Sequence, residues 1–175
     1  MRDQRVVVYR KLKPVVPPVE FNNMATESKR PTFIYVPSTT SHGEYQYCDG
    51  TWMKGLHEVL NVSLRVHSDH VVLINMWSGP SLGKSSTMKY SAEEQALFKG
   101  AAPATMAFML KDCEATMPIA ATFIVGINAE GEDKLRAYFE KLGFKGDTKT
   151  SMSTTVGAFR DKVVPRPEQL AILQA

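Results

Sequence analysis

Cysteine is scarce in this chain: Cys48 and Cys113 are the only two in 175 residues, they stand far apart, and neither belongs to a CxxC pair. That excludes a disulfide scaffold and a zinc ribbon, leaves two reduced thiols as the plain expectation, and gives no metal set. Long apolar runs are missing too. The longest uncharged apolar-rich stretch, Thr116 to Ile127, contains Thr, Pro and Gly and is far shorter than the roughly 20 residues a membrane-spanning helix requires. Nor does charge of one sign accumulate: 21 Lys and Arg against 18 Asp and Glu leave a net charge of +3, scattered along the chain. A nucleic-acid partner is therefore not implied, while a mildly cationic surface suits an anionic ligand such as a phosphorylated cofactor. Met1 to Lys13 alternates charges with Val6, Val7 and Val8 and lacks the apolar core of a signal peptide, so a cytoplasmic protein with no membrane partner is expected. What remains, 43% hydrophobic and 22% charged residues, is the composition of one folded domain with its own core.

Residues 1–30 read as a strand (Arg5 to Tyr9) and an arm broken by Pro14, Pro17 and Pro18, and 31–175 as the domain proper. Thr32 to Val36 predicts a strand and Ser38 to Gly50 a loop. Trp52, Leu56, Val59 and Leu60 fall on one helical stripe, which predicts a helix over Trp52–Leu60. Val62–Val66 and Val71–Trp77, separated by His67-Ser68-Asp69-His70, predict a β-hairpin. Ser91 with Glu94 three residues on is the spacing of a capping box, and Gly100 ends the short helix it opens. A second helix is expected from Pro103 to about Thr116, a buried strand at Ala120–Ile127 and an amphipathic helix at Glu130–Leu142 stopped by Gly143. One or two strands at Thr150–Phe159 and a terminal helix at Arg166–Ala175 complete the order. It is an α/β order: a single domain with a mixed central sheet and helices on both faces.

The stretch Ala121 to Lys145, ATFIVGINAEGEDKLRAYFEKLGFK, resembles the C-terminal part of the GNAT superfamily of N-acetyltransferases, in which a strand, an Asn, a helix and "LYEKLGF" follow one another. Upstream, Lys99-Gly100-Ala101-Ala102-Pro103-Ala104 stands where that family has its R-G-x-G-x-G/A loop, at close to the usual distance from Asn128 and Gly143. The resemblance implies a GNAT-like fold, acetyl-CoA as co-substrate and an amine acceptor, small molecule or protein. It implies that Lys99, Gly100, Ala101, Ala102 and Ala104 hold the diphosphate, Lys99 as a cation and the rest through backbone N–H groups at a helix N-terminus. Asn128 would sit at the strand end near the thioester. Four departures matter. Ala102 replaces a glycine, Pro103 removes a donor, Ser91 to Phe98 reads as a helix where the family has a strand unless Val71 to Trp77 fills that slot with Ser78 to Phe98 inserted, and the Tyr of the motif, the family's frequent general acid, is Phe139 here. Tyr138 is the adjacent phenol, about 100° around the helix. Phage-encoded GNAT-like proteins show similar erosion, and the resemblance extends loosely to them.

Plainer readings stand beside this one. A strand, an amphipathic helix and a glycine cap occur in many α/β domains, and the glyoxalase-like family also uses a "FYEKLGF" segment, though too little chain follows here for its modules. Gly79 to Ser86 (GPSLGKSS) is one residue short of a phosphate-binding P-loop. His67, Asp69 and His70 suit a turn better than a metal, and Cys113 suits a packed thiol better than a nucleophile. Glu44, His57 and Asp69 are the guesses for a general base. Two functions follow: an acyl-CoA-dependent N-acyltransferase, or an inactive GNAT-like structural or protein-binding module. A homodimer is left open.

Overall fold

The computed structural model describes residues 30–37, 45–78, 90–113, 118–127, 132–146 and 148–175. Most of the arm, Glu44, the GPSLGKSS segment and Asn128 lie outside these residues. Seven strands make one mixed sheet: β1 (Thr32–Pro37), β2 (Tyr45–Lys54), β3 (His57–His67), β4 (His70–Ser78), β5 (Thr122–Gly126), β6 (Lys145–Gly146) and β7 (Ser151–Thr155). Their order is β1-β2-β3-β4-β5-β7-β6. Every neighbouring pair is antiparallel except β4 and β5, the one parallel pair among the described strands. The five described helices are α1 (Ala92–Phe98), α2 (Ala101–Asp112), α3 (Glu132–Lys141), α4 (Val156–Lys162) and α5 (Pro167–Leu173). Because a parallel pair needs a long crossover, α1 and α2 form the connection from β4 to β5. None of these helices is long and apolar enough to cross a membrane.

Two sequence expectations are overturned in the first half of the chain. The Trp52–Leu60 stripe is no helix but the tip of the β2–β3 hairpin: Lys54 pairs with His57 across Gly55 and Leu56, and Gly55 takes a φ of +60°. A glycine at the first position of a two-residue hairpin loop allows that turn, and it leaves Leu56 exposed while Trp52, Val59 and Leu60 are buried. The helical spacing was a coincidence of a bulge at Trp52/Met53 and the turn. The predicted loop Ser38–Gly50 likewise gives way from Tyr45 onward to β2, whose Cys48, Gly50 and Trp52 alternate inward. In the C-terminal third, Thr150–Phe159 divides into β7 and α4. Alternation ends at Thr155, whose hydroxyl accepts from the Ala158 N–H and so starts the helix instead.

The expectation of helices on both faces is also corrected. Among the described residues every helix packs on the same face of the sheet, the one that carries Phe33, Cys48, Trp52, Val62, Leu64, Val71, Phe123 and Val125. α2 lies centrally, with Thr105, Met106, Met109 and Leu110 buried. The α1 ring of Phe98 meets Trp52 at 6.0 Å, and α4 brings Phe159 to 5.2 Å from Phe123. α3 joins the same layer through Phe139, 5.3 Å from Phe144, which in turn stacks edge-on to Phe123. The opposite face of β2–β4 carries a polar row instead: Asn61 donates to Thr51 and Asn75 donates to Asn61, each at 2.9 Å, and Ser63 donates to Asp49. Sheets that bury one face alternate in this way.

The signals that held are local ones. Ser91 and Glu94 close a full capping box at the start of α1, and Glu94 also takes Lys54 Nζ at 2.8 Å. Gly100 and Gly143 end their helices, Ser68 and Asp69 turn β3 into β4, and the terminal helix is α5.

The seat of α2 depends on a missing side chain. A Cβ at Gly50 would stand 2.9 Å from Met109 Sδ, 3.0 Å from Thr105 Cγ2 and 3.1 Å from Phe33 Cε2. Gly50→Val is therefore expected to destabilise the protein by about 1–3 kcal/mol through overpacking, read as a lower urea midpoint with unchanged slope.

Candidate functional site

The parallel pair does not stay together. β4 and β5 share four rungs, from His70↔Thr122 to Leu73↔Val125; β5 then ends at Gly126 while β4 runs on from Ile74 to Ser78 beside β3 alone. The cause lies one residue beyond the last rung. Leu64 pairs with Leu73 but Ser63 pairs with Asn75, so Ile74 is the extra residue of a bulge, and a bulge bends its strand and sharpens its twist. The two strands part at their carboxyl ends, where open α/β sheets hold ligands.

Three other elements meet at this end of the sheet. Trp52 faces Leu60 across β2–β3, and Leu60 faces Ser78 across β3–β4, so Trp52 marks the same end of the sheet. Its Nε1 donates to Thr105 Oγ1 at 2.8 Å, and Thr105 donates to the Ala101 carbonyl at 2.7 Å, which anchors the first turn of α2 there. Gly100 forms the N-cap at φ +75°, a conformation open to glycine. Lys99 and Gly100 are exposed, whereas Ala101, Ala102 and Ala104 are buried and the Ala104 N–H bonds the Gly100 carbonyl at 3.1 Å. From behind, α5 braces this junction: Arg166 Nη2 and Gln169 Nε2 donate to the Lys99 carbonyl at 3.0 and 3.2 Å.

From the other side comes α3. Its Tyr138 hydroxyl points to Met76 Sδ at 3.9 Å, on the stretch of β4 that has left β5. The 100° offset from Phe139 does not carry Tyr138 away from the sheet: the two rings meet at 5.2 Å and both face inward. Phe139 is 2% exposed and packed into the aromatic cluster, so the position of the motif's Tyr is filled by a core side chain. Burial pushes the Tyr138 phenol up to about 12, which keeps its proton in place throughout the neutral range. Ile127, the residue before Asn128, is held by its N–H to the Thr150 carbonyl at 2.8 Å.

The structure thus gathers Tyr138 and the Lys99–Ala104 segment around one end of the sheet. The three guesses for a base fare differently. His57 starts β3 at this same end and is exposed, but Asp69 lies in the β3–β4 turn at the opposite end, bonded to His70 Nδ1 at 2.6 Å, a contact that lowers its carboxyl. Met76 and the bulge at Ile74 are the site features the sequence reading missed. The apolar run Val71–Trp77 marks a strand and carries no sign of where a neighbour will leave it. No group of three His, Cys, Asp or Glu able to hold a metal exists among the described residues.

Two clefts lie elsewhere. One of about 1290 Å³ opens between β1, α1 and α5, walled by Phe33, Leu97 and Ile172, with the Lys54–Glu94 pair at its side. A smaller one of about 480 Å³ separates α2 from the segment following α4. Neither is lined by Tyr138 or by Lys99–Ala104.

Comparison of the chain with protein-family models, curated proteins and solved structures gives no match.

Because the folded Tyr138 holds its proton more tightly than the unfolded chain does, its contribution to stability is complete below pH 10 and is lost as pH rises toward 12. Unfolding free energies across that alkaline window should fall less steeply in Tyr138→Phe than in the parent.

Proposed function

We propose that the protein is an acyl-CoA-dependent N-acyltransferase, taking acetyl-CoA as co-substrate and a small-molecule or protein amine as acceptor. The observation that carries this reading is the end of pairing between the parallel strands β4 and β5, with the Tyr138 hydroxyl against Met76 on the freed stretch of β4 and the α2 N-terminus over β2 at the same end of the sheet. Tyr138, and Ile127 just before Asn128, belong to the stretch on which the GNAT resemblance rests. A thioester laid along the freed half of β4 finds backbone groups to pair with, and the positive end of the twelve-residue α2, with Lys99 beside it, supplies the charge for a diphosphate.

The chemistry is direct transfer. The acceptor nitrogen attacks the thioester carbonyl carbon, the C–S bond breaks, the electron pair leaves on sulfur, and the proton shed by the nitrogen passes to water or to the departing thiolate. Tyr138 stays protonated and donates a hydrogen bond to that sulfur. A phenol near 12 does not surrender its proton to a thiolate of ordinary pKa near 8.5, so its role is to stabilise the departing anion. Asn128 ends this strand in sequence and is assigned to the thioester side by the resemblance.

A second reading has its own observation: Phe139 removes the motif's phenol and Arg166 and Gln169 brace the α2 junction from behind, as a scaffold would. The two separate by experiment. Calorimetric titration with acetyl-CoA should show saturable binding in the parent and at least a tenfold loss in Lys99→Glu, roughly one lost charge contact. In an acceptor screen, Tyr138→Phe should lower kcat by about 10- to 100-fold with KM for acetyl-CoA little changed. Absence of binding at millimolar acetyl-CoA rejects the transferase and leaves the module.

A further inference from the structure

Sequence separates Cys48 from Cys113 by 65 residues, yet the two sulfurs stand 3.9 Å apart inside the protein. Cys48 points inward from β2, and Cys113 is the C-cap of α2, the end remote from the opening. Both are buried, Cys113 the nearer to the surface at 8% exposure. We infer that they form a redox-responsive dithiol, which a hydroperoxide converts to a disulfide bonding the end of the crossover helix to the sheet.

The geometry favours pairing over independent oxidation. A disulfide holds its sulfurs about 2 Å apart, and the present separation leaves roughly 2 Å to close, a distance on the scale of side-chain torsion within a packed contact. The thiols sit in a defined setting. Tyr35 of β1 packs against both, with its hydroxyl donated to Asp112 Oδ2 at 2.9 Å. Contact with Cys48 and burial push the Cys113 thiol above its ordinary value. Oxidation is therefore slow at neutral pH and speeds up as the solution becomes alkaline, because the thiolate is the reacting form.

The steps balance. One sulfur, as thiolate, attacks a peroxide oxygen; an S–O bond forms, the O–O bond breaks and hydroxide leaves, giving a sulfenic acid. The second sulfur attacks the first, the S–S bond forms, the S–O bond breaks and water departs. Two thiols and one hydrogen peroxide become one disulfide and two waters, the protein giving up two electrons and two hydrogens.

The full chain, folded, is treated with hydrogen peroxide at mildly alkaline pH, then denatured for thiol titration and for peptide mapping by mass spectrometry. Reactive thiols fall from the two in the sequence to none. The peptides containing Cys48 and Cys113 appear joined, two hydrogens lighter than their sum. Closure of so long a loop raises Tm by roughly 5–10 °C, and dithiothreitol reverses the gain. Cys113→Ser under the same treatment shows no gain; a gain there overturns the pairing. Should that variant fail to fold, the parent decides alone. Two intact thiols, a sulfinic or sulfonic acid at either position in place of the link, or a disulfide only between chains each overturn it.

Discussion

The close approach of α2 to β2 is the contact on which the rest of this structure depends. At Gly50 no side chain intervenes between helix and sheet, and Met109, Thr105 and Phe33 occupy the space one would have filled. Two residues along, Trp52 ties itself to Thr105 and through it to the first turn of the helix. A hydrogen bond between two wholly buried groups is costly to lose, since either partner left alone pays its desolvation without return. These two features fix the height and the axial position of α2 on the sheet. Everything else on that face is arranged around it: α1 and α5 at its start, α4 at its side, and Cys113 at its end.

α2 also belongs to the crossover that joins β4 to its parallel neighbour β5. The bulge at Ile74 turns β4 aside immediately after the last rung, and α3 fills the far flank with Phe139 and Tyr138. One end of the sheet carries a helix N-terminus, a freed strand and a half-buried phenol. The other end is closed by the β3–β4 turn, where His67 and His70 stack at 4.1 Å and Asp69 is engaged by His70. The asymmetry between the ends sets Asp69 apart from the proposed chemistry, whereas His57 lies at the same end of the sheet.

Much of this was legible in the sequence wherever the signal was local. The Ser91–Glu94 capping box, the stop at Gly100, the His67–His70 turn and the α3 stripe depend on residues a few positions apart, and each formed as its side chains dictate. The failures share a different cause. Trp52, Leu56, Val59 and Leu60 fit a helix only while Gly55 is ignored, and the pairing of Lys54 with His57 is decided by β1 and β3 on either side, not by local spacing. The helices' preference for one face, the bulge that opens the site and the meeting of Cys48 with Cys113 are all long-range outcomes, invisible to periodicity. Tyr138 and the Lys99–Ala104 segment were named from a resemblance; that they share an end of the sheet follows from register, which the sequence does not print.

The central claim is that the parting of β4 from β5 is a binding opening for an acyl thioester. Hydrogen exchange measured with and without acetyl-CoA tests it most directly, because backbone groups freed by the bulge must be covered when ligand lies along them. Slowed exchange is expected, confined to Ile74–Ser78 and the first turn of α2 and saturating with ligand. Unchanged exchange in both segments at saturating acetyl-CoA, or protection confined to the cleft between β1, α1 and α5, would contradict it.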